Sequence, residues 1–358
     1  MQWFWIEPLD TLSFRGNRLF GDPGSFGESM MPPWPSVFAG AFRAAILQWD
    51  SSFDLDAWKR GEIAHPIVGS WQGGEFKPGS LQLGPVFIGR KTQGDAVETL
   101  HFPPQDVLIT QPKGEPAPTI TYLKPHDLGQ TGLKGRFVTT QQPVARLSRR
   151  AKPQSGWLIH RSGFEQYLQG KPINLDQLIK QSELWQTHLR TGIGMDPERR
   201  SVDEGKLFTV QHVAFREKVG FVVGVEGANL PDSGLLRLGG DGHGARFERL
   251  PTFAPPALSD AQLEGASCVR LITQAPALLS GGWRPDVADG LICAALQRAE
   301  VISGWNLKAW KPKTARRAVS AGSVYWFAGM PAHRVRAQWQ RALIRADEGF
   351  GQFILAIA

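Results

Sequence analysis

Residues 3–47 constrain this chain more than any other stretch, because they read as one complete supersecondary unit. Trp3, Trp5, Ile6, Leu9, Leu12 and Phe14 make a β-rich run broken at Pro8. Arg15-Gly16-Asn17-Arg18 follows as a short turn carrying two guanidiniums. After a glycine-rich loop comes Met31-Pro32-Pro33-Trp34-Pro35-Ser36, where the prolines hold off any earlier helix and Ser36 is the expected N-cap. Phe38, Phe42, Ala45 and Ile46 then recur at helical spacing, so one face of this helix should pack inward. Gly40 and Ala41 keep part of its surface slim, open to close approach by a sheet or another backbone. Arg15, Arg18 and Arg43 surround the helix start, itself an anion site, which favours phosphate. Surface ion pairing with Asp22 or Glu28 is the plainer alternative.

The rest of the chain must suit such a unit. Forty glycines and twenty-six prolines in 358 residues imply many turns and long loops, which argues against a helical bundle. Thirteen tryptophans belong to core or interfaces first, with a few available as stacking platforms. Cys268 and Cys293 form no CxxC and have no metal-ligand spacing, so free thiols in a reducing, cytoplasmic setting are expected. Glu7 and Asp10 arrive too soon for a signal peptide, and no apolar run has membrane-spanning length.

Charge is segregated. No Asp or Glu occurs from 301 to 346, which holds Lys308, Lys311, Lys313, Arg316, Arg317, Arg334, Arg336, Arg341 and Arg345. None occurs from 128 to 164 either, which holds Lys134, Arg136, Arg146, Arg149, Arg150, Lys152 and Arg161. Without these sixteen the chain carries 24 basic against 33 acidic residues, so its net charge of +7 comes from two segments. Such segregation points to a polyanion partner; solvated faces are the alternative for either run taken alone.

The pattern along the chain is one of short strands and few helices, an α+β arrangement. A short helix is expected over 55–63 and a strand near 81–88. Residues 89–135 read as a long excursion from the core, with proline-rich 111–118 inside it. Residues 157–170 give a strand and a short helix burying Phe164, Tyr167 and Leu168. Asn174 should cap a helix whose apolar stripe is Leu175, Leu178, Ile179, Trp185 and Leu189, ended by Gly192. Residues 206–215 and 219–226 alternate as an antiparallel pair, and 235–247 reads as strand, glycine loop, strand.

Several of these segments carry a resemblance. Glu-Pro-Leu-Asp-Thr-Leu-Ser-Phe-Arg, Arg-Leu-Phe and Met-Pro-Pro-Trp-Pro-Ser-Val-Phe-Ala-Gly-Ala-Phe-Arg resemble the N-terminal signature of the third subunit of the type III-B (Cmr) RNA-guided CRISPR effector complex, a group within the RAMP superfamily. Four later matches follow in order. They are Arg190 to Asp196 with Gly205-Lys206-Leu207-Phe208, the Leu238-Gly239-Gly240 loop, Gly304-Trp305-Asn306, and the terminal Gly349-Phe350-Gly351. The resemblance implies two ferredoxin-like (RRM-like) domains with antiparallel sheets, at 1–190 and 191–358. A protruding thumb-like hairpin would be inserted around 89–135. It also implies a non-catalytic scaffold that grips the 5′ tag of the guide RNA and joins the backbone subunit to the large polymerase-like subunit.

The residues expected to meet RNA are Arg15, Arg18, Ser36, Gly40, Arg43, Lys134, Arg136, Arg146, Arg149, Arg150, Lys152, Lys308, Lys311, Lys313, Arg316, Arg317, Gly349, Phe350 and Gly351. Cations supply sequence-independent affinity for phosphate. Trp305 and Trp310 could stack on bases, and the Gly-Phe-Gly loop would let backbone N–H groups approach a phosphate. Thr139-Thr140-Gln141-Gln142 suits hydrogen bonds to riboses and bases. No Walker A, HExxH or GxSxG pattern is present, so no metal or cofactor is expected. The competing class is a metal-independent guide-processing ribonuclease using Tyr122, Lys124 and His126, or His243; His212 reads as an ordinary half-buried histidine.

Overall fold

A computed structural model of the chain describes residues 1–16, 26–131, 138–147, 151–196, 198–306, 309 and 311–358. Its first half is built on β1 (Gln2–Pro8), α1 (Pro35–Trp49), β2 (Gln82–Lys91), β3 (Val97–His101), β4 (Trp157–His160), α2 (Arg161–Leu168) and β5 (Leu178–Lys180). A long ribbon, β6 (Trp185–Asp196) and β7 (Ser201–Phe215), comes next. β8 (Val219–Glu226), β9 (Ser233–Arg237) and β10 (Gly244–Arg249) then return to the first sheet. That sheet has eight strands in the order β5-β4-β3-β2-β8-β1-β10-β9, with every recorded pairing antiparallel.

β1 shows why the sheet is covered on both faces. Its alternate side chains divide: Phe4 and Ile6 join the core beneath α1, while Trp3 and Trp5 pack with Phe87 and Val222 on the other side. Phe38 of α1 meets Phe221 at 5.0 Å between ring centroids, and Phe42 meets Phe4 at 6.0 Å. Each such ring removed from water contributes about 1.5–3 kcal/mol. The helix begins two residues before expectation. Trp34, not Ser36, takes the N-cap position without a side-chain cap, and Pro35 occupies the first turn, where its missing N–H costs nothing.

The second sheet is formed by β11 (Cys268–Thr273), β12 (Leu291–Ala295), β17 (Val324–Ala328) and β18 (Phe353–Ile357), in the order β12-β17-β11-β18. Between β12 and β17 projects a hairpin of four short strands: β13 (Glu300–Ile302), β14 (Trp305–Asn306), β15 (Lys311–Pro312) and β16 (Arg316–Ala318). Helix α3 (Ala332–Ala342) precedes β18 and buries Val335 and Trp339. Strand order repeats between the halves. In each, a central set lies second-third-first-fourth: β2-β8-β1-β10 in the first sheet and β12-β17-β11-β18 in the second. The first set has α1 in its first crossover, whereas the second has α3 in its last.

Four expectations are corrected. The helix expected from Asn174 is a 3₁₀ turn at Leu175–Gln177 followed by β5 and β6, because Thr187, Thr191 and Ile193 favour an extended chain and β7 supplies a full-length partner. Residues 206–215 pair with β6 rather than with 219–226, which instead lies between β1 and β2. The split expected at 190/191 does not coincide with a boundary between sheets, since β8 and β10 flank β1. Finally, the stretch expected to protrude is built in: β3 belongs to the first sheet, and Val107 and Ile109 enter the core of the second. β6 and β7 instead form a long ribbon, with Phe26–Gly27 added in parallel at the β7 edge. Among the described residues, no helix is long and apolar enough to cross a membrane.

Candidate nucleic-acid interface

A cleft runs between the two halves, and its walls come from segments far apart in sequence. At one end a cavity of about 470 Å³ is lined by Arg15, Gly16, Glu28 to Met31, Trp34, Glu300 and Val301. It adjoins a second of about 540 Å³, bounded by Met30 to Trp34, Phe102 to Gln105, Pro153 to Trp157, Gln297 and Glu300. Met30, Met31, Trp34 and Glu300 line both. Trp34 Nε1 donates to Glu300 Oε2 at 3.4 Å, fixing the wall between the α1 start and the base of the hairpin. Burial pushes the Glu300 carboxyl above its ordinary value, against the bond from Trp34.

The predicted cations divide into two groups. Lys311, Arg316 and Arg317 are exposed on the hairpin, as are Arg146 and Lys152, and none has an acidic partner within ion-pair distance among the described residues. Arg317 lies across from the cleft-lining Val301, and Lys152 precedes the cleft-lining Pro153. Arg15 lines the cleft and pairs with Asp241 at 3.0 Å. Trp305 is 46% exposed on the same hairpin.

The other group is spent internally. Arg43 reaches Asp347 at 2.8 Å and Glu348 at 3.6 Å, with its side chain 13% exposed. Lys313 binds Glu348 at 3.2 Å, and Arg345 also pairs with Glu348. Burial alone would raise the Glu348 carboxyl, but Lys313, Arg345 and Arg43 hold it below the ordinary glutamate value. The Gly-Phe-Gly loop is closed to solvent chemistry as well. Phe350 is fully buried against Trp34, Leu278 and Ile302. The Gly349 N–H donates to Ala346 O and the Gly351 N–H to Pro276 O. A Cβ on Gly349 would lie 2.9 Å from Pro35 Cβ, so this loop covers the first turn of α1 and closes the anion site expected there.

Ser36 is half-buried, and Gly40 is exposed with open space where a Cβ would stand. Thr140 Oγ1 and the Gln141 N–H both donate to Ile292 O, so that polar segment docks on β12 rather than facing a ligand. Tyr122 Oη accepts from the Ile173 N–H at 2.7 Å, and burial raises the phenol above its ordinary value against that bond. Arg18, Lys134, Arg136, Arg149, Arg150, Lys308 and Trp310 lie outside the described residues.

Residues 4–356 match the family model described as CRISPR-associated protein (Cas_Cmr3). The chain belongs to this family. It is thereby a RAMP-like subunit of the type III-B CRISPR (Cmr) effector class. The fold resembles a chain in a cryo-EM structure of the type III-B Cmr-beta complex bound to cognate target RNA and AMPPnP, at 16% identity and TM-score 0.50, covering 97% of this chain and 94% of that one. A chain of the Csm3–Csm4 subcomplex from a type III-A CRISPR-Cas interference complex matches at 11% identity and TM-score 0.43, covering 100% and 99%. No curated protein matches the sequence.

Sequence reasoning missed the cleft walls themselves. Glu300 and Pro153 to Trp157 carry no motif, Trp34 stands out only as part of the N-terminal signature, and only folding brings them together. Asp241 as the partner of Arg15 was equally hidden, 226 residues away. One missed pair did leave a trace: Arg270 stands alone inside the apolar run Cys-Val-Arg-Leu-Ile-Thr, and a lone charge there demands a buried partner.

Proposed function

We propose that this chain is a non-catalytic scaffold subunit that holds the repeat-derived 5′ tag of a guide RNA in the cleft between its halves. It would join the backbone subunit to the large polymerase-like subunit of a cytoplasmic effector complex. We read the two repeated strand orders as two ferredoxin-like domains. The observation carrying this reading is the perimeter of the cleft. Arg15 lines this groove, Arg317 lies across from its Val301, and Lys152 precedes its Pro153, so cations from three distant parts of the chain stand at or next to its walls. Exposed cations beside an exposed tryptophan suit single-stranded RNA, whose phosphates need charge and whose splayed bases need a platform.

Binding of repeat-derived single-stranded RNA to the purified chain across a salt series tests the proposal. Five to eight phosphate contacts predict a log–log slope of about −3.5 to −5.6. Salt-insensitive binding would overturn it. The same RNA incubated in EDTA should remain intact; cleavage lost on His126→Ala would replace the scaffold by a ribonuclease.

A further inference from the structure

Beside the Arg15 end of the cleft lies a cluster that RNA gripping does not use. His212 on β7, with Asp241 and His243 in the loop between β9 and β10, place one ligand atom each so that all three lie within 4.8 Å of one another. The two imidazole centroids are 5.1 Å apart at an interplanar angle of 80°. The loop is pinned in place: Leu238 N–H donates to His243 O at 2.8 Å, and Gly240 N–H donates to Ser13 O at 2.8 Å.

We propose that His212, Asp241 and His243 bind one first-row divalent transition-metal ion of the zinc class. Two imidazoles and a carboxylate are a donor set such ions accept, leaving a fourth position for water or a ligand. Tetrahedral donors roughly 2.0–2.1 Å from zinc stand about 3.3 Å apart, so side-chain rotation suffices to close the observed spacing. The outer contacts fit as well. Thr11 Oγ1 lies 3.3 Å from His212 Nδ1 and can accept its proton, leaving Nε2 as the unprotonated ligand. Arg15 holds one Asp241 oxygen at 3.0 Å, the outer-sphere hydrogen bond that orients a ligating carboxylate. Arg190, on the neighbouring strand β6 opposite β7, is drawn toward Asp10 at 3.7 Å. A metal here would tie the Arg15 turn, β7 and the β9–β10 loop together at the mouth of the cleft.

Titration of the chelator-stripped full chain with Co²⁺, followed by visible absorption and displacement with Zn²⁺, tests the site. One saturable equivalent is expected, with a band displaced by Zn²⁺. Affinity should fall at least about tenfold in His243→Ala and Asp241→Asn, and about tenfold in Thr11→Val. His212→Ala should abolish binding; if that variant fails to fold by circular dichroism, the other two decide. A band unchanged in His243→Ala and Asp241→Asn overturns the proposal. So does one abolished by Cys268→Ser or Cys293→Ser, or no saturable band at all.

Discussion

Arg270 Nη1 lies 2.8 Å from Asp106 Oδ2, and both side chains are buried. The pair bolts the second sheet to the segment that follows β3. Tyr167 completes it, donating its hydroxyl to Asp106 Oδ1 at 2.7 Å while its ring stacks under the guanidinium at 4.2 Å. Arg270 also donates to Tyr167 O and Ile357 O, so four of its five N–H groups are employed. Removing one partner strands the other charge. Asp106→Ala or Arg270→Ala should each cost about 3–5 kcal/mol in urea unfolding, and the double replacement Asp106→Leu/Arg270→Met should cost less than either.

Two glycines should behave oppositely. Gly351 has φ of 75°, and a Cβ there would lie 2.1 Å from Leu343 Cδ2. Gly351→Ala should destabilise by about 2 kcal/mol or more. Gly40 sits in α1 with nothing near the Cβ position, so Gly40→Ala should stabilise by about 0.5–1 kcal/mol. Thermal unfolding of both variants checks the pair.

Glu348 makes stability acid-sensitive. Its carboxyl is held below the unfolded value by Lys313, Arg345 and Arg43, despite burial. That stabilisation is present above the unfolded glutamate range and is lost as pH falls through the folded value. Glu348→Gln should therefore lower Tm at pH 7 and flatten its dependence on pH below 5. RNA affinity should change little, because the three cations face inward.

His101 acts in a neighbouring window. It is fully buried, stacked on Phe164 at 3.9 Å, and burial with Arg161 holds its pKa down to about 3. The unfolded chain takes up a proton near 6.5 that the folded imidazole refuses, so stability falls as pH drops below 6.5. The slope is about 1.4 kcal/mol per pH unit until the folded value is reached. His101→Phe should remove this slope; an unchanged profile between pH 6.5 and 5 would contradict it.

On the proposed function, the cations sort into binders and braces. Arg316→Ala/Arg317→Ala should weaken single-stranded RNA binding and reduce the salt slope by about 1.4. Arg43→Ala should instead lower Tm with little effect on that slope, since its charge is already spent on Asp347 and Glu348. Fluorescence anisotropy across a salt series separates the two.

The opening unit was legible because its information is local: alternation in β1, proline punctuation, and helical spacing of Phe38, Phe42 and Ile46 set strand and helix within fifty residues. The same held for residues 157–168, read as a strand and a short helix. Local spacing failed at Trp185 and Leu189, where a stripe that fits a helix also fits a strand, and only the long partner β7 decided between them. The basic composition of 301–346 was equally plain, yet which of its cations remain available depended on Glu348 reaching three of the chain's cations from the far end. Sequence by itself determined the α+β character, the family signature and the two charge blocks, because these rest on residue type and near-neighbour spacing. Tertiary structure alone decided which charges are neutralised, what the Gly-Phe-Gly loop packs against, and where the cleft lies. Those depend on how the folded chain brings elements together, in several cases across hundreds of positions, with energies no local pattern records.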